Sequence, residues 1–404
     1  MKKAIRKVTY KLKASVSQEE SLMALFVHHH QLYNWALRDR IETYKDSDYG
    51  LNFSEQCKIN TLWRNNRKTH GIFNANAQSE QVTLKRVALA FDGFFRRLKK
   101  GDKKAGFPRF KPFQRFKGWG YKSHGDGWKL HLKDKKHGAA YLADVGIVKI
   151  RGKARNQGGI PKTAEIIRKN GEWFLSVSME YDHIERKCGT RAIGLDWGVS
   201  HYFSTIDQDG NFEQVENPRY LRNSKEQLAT LQRDLALAKK GSRTQRKLKH
   251  RIAKLHQKIA NQRLDFTHKQ TAKLVEVAAL IATEKLTVKN MTRSAKGTAE
   301  KHGRMVKQKA GLNREILNTA PALTLNLLRY KAEEASSEFV EVPTKQVKPS
   351  QTCPDCGAKK KKNLAERWHS CVCGCEKPRD VASAQVNLNW ALGIQAGNQP
   401  KRLT

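Results

Sequence analysis

The sequence predicts an α/β protein built from two to four compact domains. Short apolar segments with strand character alternate with longer segments of helical periodicity, most clearly after about residue 188. At 404 residues, the chain exceeds the roughly 100–200 residues of an ordinary domain. Hydrophobic residues make up 38% of the chain, which is enough to build packed cores.

The charge is the strongest departure from an average composition. Lysine and arginine number 78 against 38 aspartates and glutamates, a formal net charge of +40. Because such an excess repels itself in a compact chain, a polyanion is the expected partner. No apolar stretch approaches the roughly 18–20 residues that span a bilayer, and no apolar segment of a signal peptide follows the basic N-terminus. Nucleic acid is therefore favoured over a membrane, and a cytoplasmic, nucleoid-associated location is expected.

The first hundred residues change from strand to helix. Residues 1 to about 20 have the pattern of a short basic strand. From about 20 to 104 the apolar residues recur at helical spacing, as in Leu22, Leu25 and Phe26. The three consecutive histidines at 28–30 are interpreted as incidental.

Residues 91–140 combine cations with aromatic rings. They hold 15 Lys or Arg against 4 Asp, and ten aromatic residues fall between positions 91 and 128. Such a mixture suits a nucleic-acid surface, because cations meet phosphates while rings stack on bases. The alternative is that most of the rings fill a core. With either arrangement, four cations of this segment are expected to contact phosphate: Arg109, Lys111, Arg115 and Lys117.

Turn signals divide the middle of the chain. Residues 165–181 alternate on both sides of Asn170-Gly171, which predicts a β-hairpin. Residues 219–283 are helical and predict an antiparallel pair with its turn at Gly241-Ser242, and Ser224 with Gln227 fits a capping box. Whether this pair contacts RNA, DNA or only solvent is left open. A further strand precedes Glu284, a helix is expected around 312–334, and a helix closes the chain.

Three acidic residues stand at the ends or starts of apolar elements. Asp196 closes an apolar strand, Glu284 follows another, and Asp380 precedes the last apolar helix. Phosphodiester hydrolysis commonly uses two Mg²⁺ ions, about 3.5–4 Å apart, which carboxylates hold. Asp380 alone has the simpler explanation of a helix N-cap. Together, in a strongly basic chain, the three predict a catalytic magnesium site.

Five of the seven cysteines crowd into the C-terminal fifth of the chain. Cys353 and Cys356 have the spacing of a zinc knuckle. The second half is irregular, with Cys371, Cys373 and Cys375 close together. A site of four thiolates has no open position, so the one expected Zn²⁺ is structural.

These motifs resemble the TnpB family of RuvC-type nucleases, and the resemblance covers nearly the whole chain. Residues 193–198, 282–286 and 378–384 resemble the three RuvC motifs in order, with the zinc segment just before the third. Further sequence matches to the family at positions 33–34, 106–111 and 350–353 extend the resemblance beyond these motifs. The family usually has an acid where Pro378 stands and Asn where Ala382 stands.

The resemblance implies a domain layout. An RNase H-like RuvC nuclease domain would span 188–349 and 378–404, with a zinc-ribbon insertion at 350–377. A β-barrel-like wedge would comprise 1–19 and 105–187, and a helical recognition insert 20–104. The family spacing selects Cys373 as a zinc ligand beside Cys371, with Cys375 as the alternative fourth ligand and His369 as a weaker one.

The resemblance also implies a function. The protein would be a transposon-encoded endonuclease that uses a guide RNA from the transposon end and a short flanking DNA motif to cleave double-stranded DNA. Asp196, Glu284 and Asp380 would hold the catalytic Mg²⁺ ions, and the protein would act as a monomer in complex with RNA. The alternatives are a nuclease-inactive, RNA-guided DNA-binding regulator and a DNA-strand-transfer transposase on the same fold.

Overall fold

The computed structural model describes residues 3–70, 75–102, 104–132, 137–151, 158–182, 188–298, 300–363 and 365–394. The chain divides into two compact units, residues 1–183 and 184–404. Both units combine helices with strands, as predicted. The expected boundary between wedge and nuclease domain, at residue 187, and the end of the nuclease domain, at 395–404, lie outside the described residues.

The first unit joins a sheet to three long helices. The helices are α1 (Val16–Ser47), α2 (Phe53–Thr69) and α3 (Ala77–Lys99), and a 3-10 turn follows at Phe113–Arg115. The strands are β1 (Lys3–Lys13), β2 (Gly118–Tyr121), β3 (Trp128–Leu132), β4 (His137–Leu142), β5 (Gly146–Arg151), β6 (Ile160–Lys169) and β7 (Glu172–Asp182). They form one sheet of order β2-β6-β7-β1-β5-β4-β3, in which every neighbouring pair is antiparallel.

The β6–β7 hairpin confirms the turn predicted at Asn170-Gly171. Both turn residues have positive φ, 53° and 80°, the backbone of the two-residue turn that Asn-Gly favours. Alternation along β7 buries Trp173, Leu175 and Val177 against the core. The spacing of apolar residues therefore determines which face of this sheet is covered.

The histidines at 28–30 are structural, so their interpretation as incidental was wrong. His29 is fully buried, stacks on Trp119 with ring centroids 5.4 Å apart, and bonds the Thr83 hydroxyl at 2.9 Å. His28 lies 2.6 Å from the buried Glu80 carboxylate. Burial opposes ionisation of Glu80, but hydrogen bonds from His28, Arg64 and Asn60 outweigh it and lower its pKa to about 2.

The aromatic residues of 91–140 divide between the two predicted uses. Phe116, Trp119, Tyr121 and Trp128 are buried in the core of the first unit. Phe95, Phe107, Phe110 and Phe113 are exposed instead. The segment therefore both fills a core and leaves rings on the surface.

The second unit holds the remaining elements. Its strands are β8 (Arg191–Trp197), β9 (His201–Asp207), β10 (Phe212–Glu216), β11 (Ala278–Glu284), β12 (Glu338–Val342), β13 (Trp368–Ser370) and β14 (Glu376–Pro378). Its helices are α4 (Tyr220–Asn223), α5 (Lys225–Leu237), α6 (Arg243–Val277), α7 (Val288–Met291), α8 (Val306–Thr319), α9 (Pro321–Glu334), α10 (Thr344–Val347) and α11 (Arg379–Ala391). Every helix in the described part of the chain is too short or too polar to cross a bilayer.

The larger sheet of this unit has the order β10-β9-β8-β11-β12. β8, β9 and β10 form an antiparallel meander, while β11 runs parallel to both β8 and β12. Ile193 and Leu195 of β8 and Ile281 of β11 share a core with residues of α6 and α9. Because side chains alternate along a strand, Gly194 and Asp196 face the opposite side, where α11 packs.

Two predicted helical features differ from the structure. The α5–α6 pair and its turn are present, but the Ser224 side chain makes no capping bond, and Ser242 instead accepts from the Gln245 amide at 3.1 Å. The helix expected around 312–334 is two helices, α8 and α9. They meet at Ala320, whose φ of 51° cannot continue a helix.

We predict that Gly194→Ala destabilises the second unit. A Cβ at Gly194 would lie 2.0 Å from the Ala384 carbonyl oxygen, which belongs to the backbone of α11 and cannot swing aside. The expected loss is about 1–3 kcal/mol, or more where the helix must shift. Urea unfolding of the full chain measures it. Gly311→Ala in α8 is the control, since nothing lies within 4 Å of its new Cβ, and it should be neutral or stabilising.

Candidate active site

Asp196 and Glu284 stand side by side at one edge of the larger sheet. Leu195 and Thr283 are register partners in the parallel β8–β11 pair, so the next residue of each strand is an acid. Both acids lie at the carboxyl ends of their strands, where the loops of α/β sheets leave crevices. Ile281 points into the core, so alternation places Glu284 on the same face as Asp196.

Helix α11 brings the third acid to this edge. The helix begins at Arg379, with Pro378 as its N-cap, so Asp380 lies in the first turn and is not the cap itself. Gly194 allows the close approach of α11 to β8, and the Asn387 amide donates to the Leu195 carbonyl at 3.0 Å. All three predicted acids are therefore brought together, although they are distant in sequence.

The three acids affect one another's protonation. Burial, followed by the charges of Glu284 and Asp380, raises the pKa of Asp196 well above its ordinary value, and the Arg379 charge opposes this shift. Burial also raises the pKa of Glu284.

His201 also lies at this site, and sequence analysis missed it. Its Nδ1 lies 3.6 Å from the Asp380 Oδ2 atom and 3.2 Å from the Gln214 side-chain amide. Gly198 lies near the same carboxylate oxygen, since an added Cβ would come 3.9 Å from Oδ2 and 2.9 Å from the His201 carbonyl oxygen. A lone histidine at the start of a strand carries no pattern that would have marked it.

The donor set fits magnesium. Three carboxylates supply the hard oxygen ligands that Mg²⁺ requires. Among the described residues, two groups have three or more possible metal-ligand atoms within 4.8 Å of one another. Both groups consist mainly of cysteines, and neither includes the three acids. The carboxylate oxygens are thus more widely spaced than those of a closed cage around one ion.

Four cysteines gather in the segment before α11. The sulfurs of Cys353, Cys356, Cys371 and Cys373 all lie within 4.8 Å of one another. Cys353 and Cys373 are 3.7 Å apart, and Cys356 and Cys371 are 3.6 Å apart. Tetrahedral zinc with Zn–S bonds of about 2.3 Å places its sulfurs roughly 3.8 Å apart, so this thiol group fits Zn²⁺.

Cys375 belongs to a second group that shares Cys353. This group contains Cys353, His369 and Cys375, all of them buried. Burial, together with Asp355, raises the pKa of the Cys375 thiol, and the thiol pKa values of Cys356 and Cys373 are raised as well, so this direction does not distinguish Cys375 from the first group. Hydrogen bonds from the Cys373 backbone and the Cys356 side chain lower the pKa of Cys371 to about 7.

The four cations expected to contact phosphate differ in their surroundings. Arg109, Arg115 and Lys117 are exposed. Lys111 is half-buried, and its ammonium lies 3.8 Å from the centre of the Tyr33 ring. Asn34 bonds both the amide and the carbonyl of Lys111, so this position is fixed by its backbone.

Two family models match the chain. The model OrfB_IS605, described as a probable transposase, matches residues 176–295. The model described as Cas12f1-like, TNB domain, matches residues 324–387. Together they include the strands with Asp196 and Glu284, the cysteine group and Asp380.

Curated relatives decide the family. A protein of Escherichia coli named "Putative RNA-guided DNA endonuclease InsQ" is 30% identical over 357 residues, covering 88% of this chain and 83% of its own length. The chain belongs to the TnpB family. A second relative, from Streptomyces pristinaespiralis and also described as an RNA-guided DNA endonuclease, is 25% identical and covers 100% of this chain and 94% of its own length.

Solved structures share the fold of this TnpB family member. A Cas12f1 chain, from a complex with its guide RNA and target DNA, aligns with a TM-score of 0.57 at 12% identity, over 96% of this chain and 98% of its own. The mini-RNA-guided endonuclease CRISPR-Cas_phi3 aligns with a TM-score of 0.51 at 11% identity, over 99% and 93%. At these identities the likeness concerns the fold alone.

We predict that Asp196→Asn stabilises the metal-free protein at pH 8. An acid whose pKa is raised by folding holds its proton more tightly in the folded state, so stability falls as pH rises from the ordinary value of 3.8 towards the raised one. Asparagine has no ionisable proton, so the variant does not lose stability in this way as the pH rises. Thermal unfolding in EDTA should show a higher Tm for the variant at pH 8, by about 2–4 °C for each kcal/mol, and little difference near pH 4.

Added magnesium is the control for this experiment. A cation that binds only the folded state stabilises the wild type, and the variant should gain less. A variant that is less stable than the wild type at pH 8 without metal would contradict the electrostatic account of Asp196.

Proposed function

We propose that this protein is an RNA-guided DNA endonuclease whose single RuvC-type site is formed by Asp196, Glu284 and Asp380. One observation supports it above all others. Three acids from distant parts of the chain meet at the carboxyl ends of two parallel strands and the first turn of α11. The names of the two curated relatives agree with this activity.

The chain's own residues would hold and order the reacting groups. Asp196, Glu284 and Asp380 would bind the two Mg²⁺ ions that the family resemblance implies. Bound Mg²⁺ would activate water for attack on phosphorus and stabilise the leaving oxygen. Gly198 allows the backbone after β8 to approach the His201 carbonyl closely, and His201 would orient the Asp380 carboxylate through its Oδ2 atom.

Binding would depend on the basic surface and on guide pairing. A guide RNA derived from the transposon end would pair with the target strand, while the protein recognises a short flanking DNA motif and the shape of the hybrid. The net charge of +40 would neutralise RNA and DNA phosphates, so affinity should fall steeply with salt. Arg109, Arg115 and Lys117 are the exposed candidates for such contacts. The protein would act as a monomer with its RNA in the bacterial cytoplasm, and the wedge and recognition domains would occupy the ranges that the family layout gives.

The cysteine group would hold one structural Zn²⁺. The sulfur distances favour Cys353, Cys356, Cys371 and Cys373 as the ligands. A site of four thiolates has no open position for a substrate, so zinc would order this insertion as a ribbon and take no part in cleavage.

We predict that Asp196→Ala abolishes cleavage but retains nucleic-acid binding. Loss of a metal-holding carboxylate removes several kcal/mol of transition-state stabilisation, roughly 1000-fold or more in rate. The assay co-expresses the protein with its transposon-end RNA and counts plasmids that carry a matched target beside randomised flanking bases, with Mg²⁺. Asp209→Asn, in an exposed turn, is the matched acidic control and should cut normally.

Three outcomes of this assay separate the candidate functions. Loss of plasmids with one flanking motif, in the wild type alone, supports the guided nuclease. Binding without cutting in both proteins would indicate a regulator, and joined DNA products at transposon ends would indicate a strand-transfer transposase. Cleavage by a clean Asp196→Ala preparation would overturn the site.

We predict one zinc per chain and its loss in Cys373→Ser. The remaining three thiolates cannot complete the tetrahedron, so stability should fall together with zinc content. Elemental analysis of freshly purified protein measures the stoichiometry. Cys188→Ser, at an exposed site outside both groups, is the control. Retention of zinc in Cys373→Ser with loss in Cys375→Ser would assign the fourth ligand to Cys375 instead.

A further inference from the structure

An aromatic cluster lies on the surface of the first unit, at the C-terminal end of α3. The ring cluster consists of Phe91, Phe94, Phe95 and Phe107. The first three fall at spacings of three and four, so they share one face of the helix. Phe107, from the following loop, packs against Phe91 and Phe94 with centroids 5.6 and 5.2 Å apart. Phe95 is 58% exposed and Phe107 is 48% exposed, so two ring surfaces remain open to solvent.

The ring cluster is held in place by its neighbours. The Arg97 guanidinium donates to the Gly106 carbonyl at 2.9 Å and ties the loop to α3. The Arg40 guanidinium lies 5.4 Å from the centre of the Phe91 ring. Phe107 meets Phe91 at 89° and Phe94 at 76°, so both contacts are edge-to-face. Rings fixed in this way lose little freedom when they bind.

The ring cluster lies at the margin of the core, since Phe91 packs against the core of the first unit whereas Phe95 and Phe107 are exposed. The first half of α3 is buried through Leu84, Val87 and Ala88, but the exposed rings follow in its last turns. Exposed apolar patches that gather several large side chains usually mark a binding site.

Charge identifies the occupant as a polyanion. Exposed cations flank the ring cluster along the chain: Arg96, Lys99, Lys100, Lys104 and Arg109. Between positions 91 and 117 the sequence has ten Lys or Arg, and its only acids are Asp92 and Asp102. A second copy of a chain with net charge +40 would be repelled by this rim, whereas nucleic acid would be attracted. Rings among cations are the combination that binds unpaired bases and their phosphates.

We propose that the ring cluster is a stacking site for unpaired bases of the guide RNA. The inference rests on the proposed RNA-guided function and deepens it. A permanently bare apolar cluster promotes aggregation, so it suits a partner that stays bound, as a guide RNA does, more than a DNA target met briefly. RNA loops and ends present splayed bases that stack on aromatic side chains.

The test uses the full-length protein and a short single-stranded RNA carrying 2-aminopurine, whose fluorescence falls when the base stacks. Phe95→Ala with Phe107→Ala should weaken binding about 5- to 100-fold and abolish the quenching. The dependence of affinity on salt should not change, because the phosphate contacts remain. Lys99→Gln with Lys100→Gln should do the opposite, reducing the salt dependence while the quenching persists.

Two further variants separate stacking from misfolding. Phe95→Tyr with Phe107→Tyr keeps both rings and should bind as the wild type does. Leu89→Ala removes an exposed apolar side chain of α3 outside the ring cluster and should have no effect. Circular dichroism of each variant confirms that the fold is kept.

Several outcomes would overturn the proposal. If the variant with Phe95→Ala and Phe107→Ala keeps its RNA affinity and still quenches the probe, stacking on the ring cluster is excluded. A dimer that becomes a monomer in sedimentation, with RNA affinity unchanged, would make the ring cluster a protein interface. If the double alanine change weakens binding of single-stranded DNA of the same sequence as much as binding of RNA, the ring cluster does not prefer RNA. A wild type that quenches the probe but cuts no DNA refutes the nuclease and leaves stacking standing.

Discussion

The candidate site depends on how closely α11 approaches β8. Only a residue without a Cβ fits at Gly194, because that atom would meet the Ala384 carbonyl oxygen at 2.0 Å. The Asn387 amide, which donates to the Leu195 carbonyl, joins positions 192 residues apart. Bringing such distant segments together costs on the order of 5 kcal/mol in chain entropy. The apolar face of α11, with Val381, Ala384 and Leu388 buried, is what offsets that cost and so positions Asp380.

This packing forces negative charges together inside a strongly positive protein. The carboxylates of Glu284 and Asp380 lie near Asp196, and burial adds to their repulsion by raising the pKa of Asp196. In the proposed function, Mg²⁺ would offset the charge of these acids, and the basic excess of the chain would attract phosphates. The proposal thus assigns the holding of cations and the attraction of a polyanion to different residues.

The sequence predicted the elements whose patterns are local. Alternation around Asn170-Gly171 and the apolar strands before Asp196 and Glu284 appear as expected, because burial of one face imposes a period on the chain. Sequence analysis did not find His29 and Glu80, whose buried partners come from separate helices, or His201, whose neighbour Asp380 is distant in the chain. The predictions of a cap at Ser224 and of one helix through Ala320 were wrong. Ser224 ends α4 as well as preceding α5, and the φ of Ala320 is 51°, and neither conformation follows from the local sequence pattern.

The cysteine segment contacts α11 near both ends, which would connect the proposed zinc site to the three acids. At the start of the helix, the Arg379 guanidinium donates to the Asn363 carbonyl at 2.8 Å, and the Arg379 backbone amide donates to the Arg367 carbonyl. Further along, the Asn389 side-chain amide donates to the carbonyl of Pro354, between Cys353 and Cys356, at 2.8 Å. An insertion of this size has little core of its own, so bound Zn²⁺ would keep it ordered. Because Asp380 follows Arg379 directly, order in this segment would also fix the position of Asp380 in the proposed active site.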